Sequence, residues 1–238
     1  MNTNNWIAEN EMRMEALRAS AQKEWELIRA DFPLWGKDDA RRWALSRIPP
    51  MLFSPTLGLC LRRTVLEDPN WWETYAPGAG PILFKSGRDE FDRHLKGKLL
   101  LDLAHNIELP FRVILMALDH ASQVSDFSAV YNSLLRENKP YLRNVPSDWR
   151  GTLDLIRLSR NTVHNSWFHY PKNQKNQMVI FKGTSYAFIV GKQLDFISWN
   201  LLHDLSEDAL RIIVAVVRDP NVLALQAVQD AGAGEPID

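Results

Sequence analysis

Apolar residues near the start of the chain recur at intervals of three and four, which is the spacing of one face of an α-helix. The segment 6–30 carries this pattern, and its other positions are rich in Glu, Arg and Ala, which favour helix. The apolar face consists of Met14, Leu17, Ala21, Trp25 and Ile28. The pattern therefore predicts one amphipathic helix over 6–30.

Prolines and acidic residues divide the next part of the chain. A second helix is predicted to begin at Asp38–Asp39, whose charges suit a helix N-terminus, and to run through Ile48. The pair Pro49–Pro50 is expected to end it. Residues 66–88 hold three prolines and three glycines, so we predict a long irregular connection there, with a short hairpin as one option.

The central helices are predicted from charge and apolar runs. Acidic residues at 89, 90 and 92 suit the first turn of a helix that runs to Glu108, and Pro110 is expected to interrupt it. The apolar stretch 111–121 predicts a continuing helix that is nearly all buried. A further helix is predicted over 126–138.

The C-terminal part combines two helices with a hairpin. Ser147 is the expected N-cap of a helix over 148–166, and the strand-like runs 178–181 and 186–190 flank a Gly-containing turn. The last long helix is predicted over 196–218. The fold class is therefore mainly α, a helical bundle with one short β-hairpin inserted before the last long helix. We expect a single helical domain over 1–220 and a largely disordered tail over 221–238, where 230–238 has the composition of disordered chain.

Composition excludes several classes of protein. Hydrophobic residues (45%) and charged residues (24%) are at ordinary globular levels, and the single Cys60 excludes an internal disulfide and a cysteine-based zinc cluster. The start of the chain lacks a secretory signal pattern, and no apolar run is long enough to span a bilayer. We therefore expect a cytoplasmic protein with no membrane partner. Glycine-rich phosphate loops, nucleophile elbows and Cys-x-x-Cys pairs are absent from the sequence, so ATPase, dehydrogenase, serine hydrolase and zinc-finger functions lose their usual support.

Charge is unevenly distributed along the chain. The formal net charge is −1, but the segment 136–192 contains ten basic and three acidic residues, a balance of +7 that leaves −8 for the remainder. A basic region on a nearly neutral protein is typical of a local phosphate-binding face. The alternative is a solvated basic surface that binds nothing.

The helix over 148–166 carries the candidate chemistry. At about 100° per residue, its apolar residues form a stripe about 80° wide, into which Arg160 projects. His164 lies one turn further on, so the two side chains can converge on one small group. Cleavage of an RNA phosphodiester needs a group that moves protons near neutral pH, as histidine does, and a cation for the phosphate, as arginine provides. Asn161 can hold the imidazole or a phosphate oxygen by hydrogen bonds, and this chemistry requires no metal.

The stretch Arg160-Asn161-Thr162-Val163-His164-Asn165, followed by a short hairpin and a last helix, resembles the HEPN family. The signature of that family is Arg, four to six residues, then His, often with a polar residue directly after the Arg. The resemblance covers 147–218 and implies a helical bundle and a metal-independent endoribonuclease without a cofactor. It further implies RNA as substrate, a homodimer with a composite site, and a role in toxin–antitoxin or phage-defence systems, with an antitoxin protein as partner. Residues 1–145 form an N-terminal helical part that the resemblance does not explain.

The chain departs from the family signature in its spacing. Arg160 has the polar neighbour Asn161 but stands only three residues before His164, whereas Arg157 has a permitted six-residue gap but is followed by Leu158. The alternative functions are therefore a non-catalytic HEPN-like module that binds RNA, a nucleotide or a protein, and a purely structural interaction protein. For individual residues, the alternatives are an ion pair of Arg157 with Asp154, an ion pair of Arg160 with an acidic residue of another helix, and structural packing or hydrogen bonding.

These considerations give a specific set of candidate site residues. The predicted catalytic residues are His164 as general acid or base, Arg160 as phosphate ligand and Asn161 as the orienting group. The predicted substrate-binding residues are Arg157, Asn165, His169 and Lys172. No metal site is predicted, because the pairs Glu90–His94 and His203–Glu207 offer only two ligands each, which helix-surface pairing also explains.

Overall fold

Helices make up most of the chain, and one antiparallel hairpin precedes the last long helix, as the sequence predicts. The computed structural model describes residues 3–120, 122, 126–136 and 141–229. The helices are α1 (Thr3–Asp31), α2 (Ala40–Ser46), α3 (Ile48–Leu61), α4 (Pro69–Tyr75), α5 (Pro81–Leu118), α6 (Phe127–Leu134), α7 (Trp149–His164), α8 (Trp199–Val217) and α9 (Pro220–Leu223), with a π-helical turn at Arg62–Leu66. The strands are β1 (Gln177–Phe181) and β2 (Thr184–Phe188).

Two of the predicted helix boundaries were wrong because proline begins helices here. Pro49 and Pro50 lie in the first turn of α3, where a missing N–H costs no hydrogen bond, instead of ending α2. The predicted irregular connection over 66–88 holds α4 and the start of α5. Their caps are Asp68, which accepts a hydrogen bond from the backbone of Asn70, and Gly80.

The interruption predicted at Pro110 is also wrong. Helix α5 continues through this residue without a break, and the acidic residues near 90 lie inside it and not in its first turn. Pro110 is buried, and α5 packs against α2, α3, α6, α7 and α8. Because packing on so many neighbours stabilises the helix along its length, the loss of one backbone hydrogen bond does not end it.

Helices α7 and α8 agree with the sequence to within a few residues. Helix α7 begins at Trp149 with Asp148 as N-cap, and no side chain caps it, whereas we had predicted Ser147 in that role. Helix α8 begins later than predicted, after Ser198, whose hydroxyl accepts a hydrogen bond from the backbone N–H of Leu201. The apolar faces of both helices are buried in one core with α5.

The hairpin packs against the first turns of α7. Its two-residue turn, Lys182–Gly183, has positive φ at both positions, as the tightest hairpin turns require. Gly151 of α7 approaches β1 so closely that a Cβ atom there would lie 2.5 Å from the carbonyl oxygen of Ile180. This close approach fixes the hairpin, and the loop before it, relative to α7.

The residues after α8 return to the start of α2. Asp39 pairs with Gln229 in a β-bridge, and the guanidinium of Arg41 donates to the carbonyl oxygens of Val222 (3.0 Å) and Leu225 (2.8 Å). We had assigned residues from 221 onward to a disordered tail, and for 221–229 the structure differs. The reason is tertiary, because the buried Arg41 binds this segment through its carbonyl groups. The remainder of the predicted tail, 230–238, lies outside the described residues.

Across the described residues, every helix is too short or too polar to cross a membrane.

Candidate functional site

Helix α7 places the predicted site residues on one face. Arg157 lies about one turn before Arg160 and Asn161, and His164 lies about one turn after them, so the four side chains share one face. The helix ends at His164, two residues earlier than predicted. Because the helix ends there, the residues that follow His164 are able to turn back along it.

The chain reverses direction directly after His164. Ser166 (φ 56°) and Trp167 (φ 71°) both adopt the left-handed conformation, which residues other than glycine rarely adopt in succession. The backbone N–H of Trp167 donates to the carbonyl oxygen of Thr162 (2.9 Å), and Phe168 then pairs with Gln193 in a β-bridge. This reversal brings residues 168–173 back alongside the end of α7.

The reversal creates an open groove of about 670 Å³ between α7, the start of α6 and the loop before β1. Its lining includes all seven predicted residues: Arg157, Arg160, Asn161, His164, Asn165, His169 and Lys172. The other lining residues lie outside the predicted set and are Asp126, Phe127, Ser128, Leu158, Tyr170, Pro171, Asn173 and Gln177. The structure thus brings the predicted residues together in one groove. They differ from one another in burial and in the side chains that they contact.

Arg157 is held by neighbouring side chains. Its Nη2 lies 3.2 Å from Asp154 Oδ1, and its Nε donates to the hydroxyl of Tyr131 (2.9 Å), which itself donates to Asp154. Burial raises the pKa of Tyr131, and the hydrogen bond to Asp154 raises it further, so the phenol stays protonated. The ion pair with Asp154 is the alternative that the sequence left open for Arg157. Tyr131 is a partner that sequence reasoning missed, because it comes from α6.

Arg160 faces a carboxylate of α5. Its Nη1 lies 3.8 Å from Oε2 of Glu108, whose Oε1 accepts a hydrogen bond from Arg112 (2.7 Å). The side chain of Arg160 is 33% exposed, so it lies at the edge of the apolar stripe and not within it as predicted. Val163, a residue of the apolar stripe, packs against α5 at Gly97. Arg160 therefore pairs with an acidic residue of another helix, which is the alternative that the sequence left open for it.

Replacing Glu108 with glutamine is expected to strengthen binding of phosphate groups in the groove. The change removes a negative charge beside Arg160 and keeps the shape of the side chain. At the 3.8 Å that separates Arg160 from Glu108, the Coulomb energy between two unit charges in water is roughly 1 kcal/mol. A gain of that size corresponds to an about fivefold lower Kd. The measurement is fluorescence anisotropy at low salt with a labelled single-stranded 2′-deoxy oligonucleotide, which lacks the attacking hydroxyl.

Glu90→Gln is the matched control, because Glu90 lies on the exposed surface of the same helix, about 27 Å away along its axis. An unchanged or weaker affinity of Glu108→Gln relative to this control would show that phosphate does not bind at Arg160.

Four of the predicted polar residues are open to solvent. Asn161, His164 and Asn165 are exposed, and within the described part of the chain no side chain or backbone group hydrogen-bonds to the imidazole of His164. Lys172, in the loop before β1, is also exposed and lines the groove. These side chains are therefore available to a ligand without any rearrangement of the fold.

His169 differs from the other predicted residues because it is buried. The residue is only 3% exposed, and its ring packs 5.4 Å from the ring of Phe188 (between centroids) and places Nδ1 3.3 Å from the hydroxyl of Thr162. Burial lowers the pKa of His169, and the positive charge of Arg157 lowers it further. The ring is therefore neutral at neutral pH. Its burial depends on pairing with the segment 191–194, which local sequence does not reveal.

A cluster on α8 has the side chains of a metal site, but the guanidinium of Arg13 already provides a positive charge there. Ligand atoms of His203, Asp204 and Glu207 lie within 4.8 Å of one another. The guanidinium of Arg13 lies 3.1 Å from His203 Nδ1 and 3.7 Å from Asp204. Because Arg13 supplies the positive charge and uses a histidine nitrogen, we assign no metal to this cluster. The other pair considered, Glu90 with His94, lies at the surface, where Nδ1 of His94 is 3.4 Å from Oε1 of Glu90.

Comparison of the chain with models of known families, with curated proteins and with solved structures finds no match.

Proposed function

We propose that this protein is a metal-independent endoribonuclease of the HEPN type, which cleaves RNA by attack of a 2′-hydroxyl on the adjacent phosphate. The observation that supports the proposal is the meeting of Arg157, Arg160, His164 and Lys172 in one open groove. A groove lined by several cationic groups suits a phosphodiester backbone, and an exposed histidine within it suits proton transfer.

In this proposal, each residue of α7 has a separate task. Arg160 binds the scissile phosphate and stabilises the charge that grows on it in the transition state. His164 transfers protons, and Asn161 orients the imidazole or a phosphate oxygen. Arg157, Asn165, His169 and Lys172 contact the substrate around this centre. The products are a 2′,3′-cyclic phosphate on one fragment and a 5′-hydroxyl on the other.

The proposal includes the partners that the family resemblance implies. Two chains form a homodimer in which the α7 helices face each other and share a composite site. The enzyme acts in the cytoplasm as a toxin or a phage-defence effector, and an antitoxin protein holds it inactive.

The test of the proposal is cleavage of single-stranded RNAs of varied sequence by the purified protein, with and without EDTA. We expect equal cleavage in both conditions, because no step needs a metal, and cyclic-phosphate ends when the fragments are sequenced. A mock preparation from cells that lack the gene controls for contaminating nucleases. Intact RNA under all conditions, or loss of cleavage in EDTA, would exclude the proposed mechanism.

The second candidate is a HEPN-like module that binds RNA without cleaving it. The observation that favours it is the internal pairing of both arginines, Arg157 with Asp154 and Arg160 with Glu108, which leaves less charge for a transition state. Salt-dependent RNA binding that Arg160→Ala abolishes, together with intact RNA after long incubation, would select this function over the first.

A further inference from the structure

The backbone holds His169 firmly at the wall of the groove. Its N–H donates to the carbonyl oxygen of Lys192 (3.0 Å), and its own carbonyl oxygen accepts from the N–H of Gly191 (2.9 Å). The ring lies between Thr162 of α7 and Phe188 of β2, and it is almost completely buried. His169 is therefore positioned by the fold, whereas His164 is exposed at the end of its helix.

The hydrogen bonds of Thr162 fix the tautomer of this histidine. The hydroxyl of Thr162 lies 2.8 Å from the carbonyl oxygen of Leu158 and 3.3 Å from Nδ1 of His169. A hydroxyl has one hydrogen, and a carbonyl oxygen only accepts, so the hydrogen of Thr162 is donated to Leu158. The contact with His169 is then a hydrogen bond only if Nδ1 carries a proton and donates it to Thr162.

The other ring nitrogen is consequently a bare acceptor. With Nδ1 protonated and the ring neutral, Nε2 has a free lone pair, and within the described residues it has no hydrogen-bond partner. A buried polar atom without a partner is uncommon and calls for an explanation. The oxygen Oε1 of Gln177, another residue of the groove lining, is also buried without a partner among these residues. Both unpaired acceptors belong to residues that line the groove, so a bound ligand that reaches them would supply the missing donors.

We propose that Nε2 of His169 is the general base of the cleavage reaction and that His164 is the general acid. This assignment rests on the proposed ribonuclease function and divides between two histidines the proton transfers that one would otherwise perform. A neutral, oriented imidazole with a free lone pair suits a base, and an exposed imidazole suits exchange of protons with water.

The proton balance of this mechanism is complete. Nε2 of His169 takes the proton of the 2′-hydroxyl, and the 2′-oxygen forms a bond to phosphorus. The bond from phosphorus to the 5′-oxygen breaks, and this oxygen takes a proton from protonated His164. Because Nε2 has almost no contact with water in the free protein, the groove lining beside it must open slightly when RNA binds.

The variant His169→Asn separates the proposed base from its structural role. The amide nitrogen of asparagine lies where Nδ1 lies and is able to donate to Thr162, but no group replaces Nε2. We expect kcat to fall by about 100-fold or more, the usual contribution of a general base, while KM changes little. The acid limb of the pH–kcat/KM profile should also disappear, because it reports protonation of this base. His94→Asn makes the same change at an exposed histidine outside the groove and should behave as the parent does.

The outcomes distinguish this assignment from the proposed function. If the parent protein leaves RNA intact, the ribonuclease function fails and the assignment fails with it. If the parent cleaves RNA and His169→Asn cleaves equally well, only the assignment is wrong. Nitrogen NMR of ¹⁵N-histidine-labelled parent protein gives a readout that does not need activity. We expect the neutral tautomer with the proton on Nδ1 for His169, and a proton on Nε2 instead would overturn the assignment.

Discussion

Replacing Arg41 with alanine is expected to lower the free energy of unfolding by about 3–5 kcal/mol, the usual effect of removing one partner of a buried ion pair. The side chain of Arg41 is completely buried, and its Nε and Nη2 donate to the two carboxylate oxygens of Asp39 at 2.9 and 2.6 Å. Without it, the carboxylate of Asp39 and the carbonyl oxygens of Val222 and Leu225 lose a buried donor. Urea unfolding followed by circular dichroism measures the loss.

Arg47→Ala is the matched control for this prediction. Arg47 is an exposed arginine at the end of the same helix, and its guanidinium lies over the ring of Trp43, 4.3 Å from the ring centroid. We expect a cost of at most about 1 kcal/mol for an exposed cation–π contact of this kind. Limited proteolysis adds a local readout, because residues 221–229 should become cleavable in Arg41→Ala first. A loss below 1 kcal/mol with unchanged protection of this segment would contradict the prediction.

Replacing His164 with alanine is expected to slow RNA cleavage by about 10²- to 10⁴-fold, the range that one proton-transfer group contributes. The side chain is exposed and lies at the last residue of α7, so its removal should leave the melting temperature and RNA affinity nearly unchanged. The measurement is single-turnover cleavage of a labelled RNA at saturating protein, which isolates the chemical step from binding.

His94→Ala controls for the loss of an exposed histidine elsewhere, since His94 lies on α5 and pairs with Glu90 at the surface. A parallel test in bacteria compares growth after induction of the parent and of both variants. Growth arrest by the parent and by His94→Ala, but not by His164→Ala, would agree with cleavage in the cell. Equal cleavage by all three proteins would remove His164 from the mechanism.

Helix starts were signalled in the sequence more clearly than we inferred. Asp68–Pro69 and Gly80–Pro81 are pairs of an N-cap and a first-turn proline, yet they lie in the stretch that we predicted as irregular. Proline breaks a helix in its interior, but in the first turn its missing N–H costs no hydrogen bond, so a proline after an N-cap residue marks a helix start. Helices α1, α7 and α8 were predicted well because each carries a continuous apolar face of helical period, which is a local property.

The sequence predicted only those features of the site that depend on the single helix α7. The spacing of Arg157, Arg160 and His164 on α7 follows from their sequence positions, and these side chains do line one groove. Their partners Tyr131 and Glu108 belong to α6 and α5, so no local pattern reveals them. The burial of His169 depends equally on a distant segment, because Lys192 and Gly191 bond to its backbone.

The hydrogen bonds between Arg41 and the segment 222–225 also have a consequence for the order of folding. The two carbonyl groups that Arg41 binds belong to residues 181 and 184 positions later in the chain. During synthesis, α1 to α3 leave the ribosome long before residues 222–225 have been translated. The guanidinium of Arg41 therefore stays in contact with water until this segment is made. In the N-terminal part of the core, the bonds from Arg41 to these carbonyl groups therefore form only after Leu225 has been translated. A chaperone that shields exposed apolar surface would have its longest period of action on this part of the nascent chain.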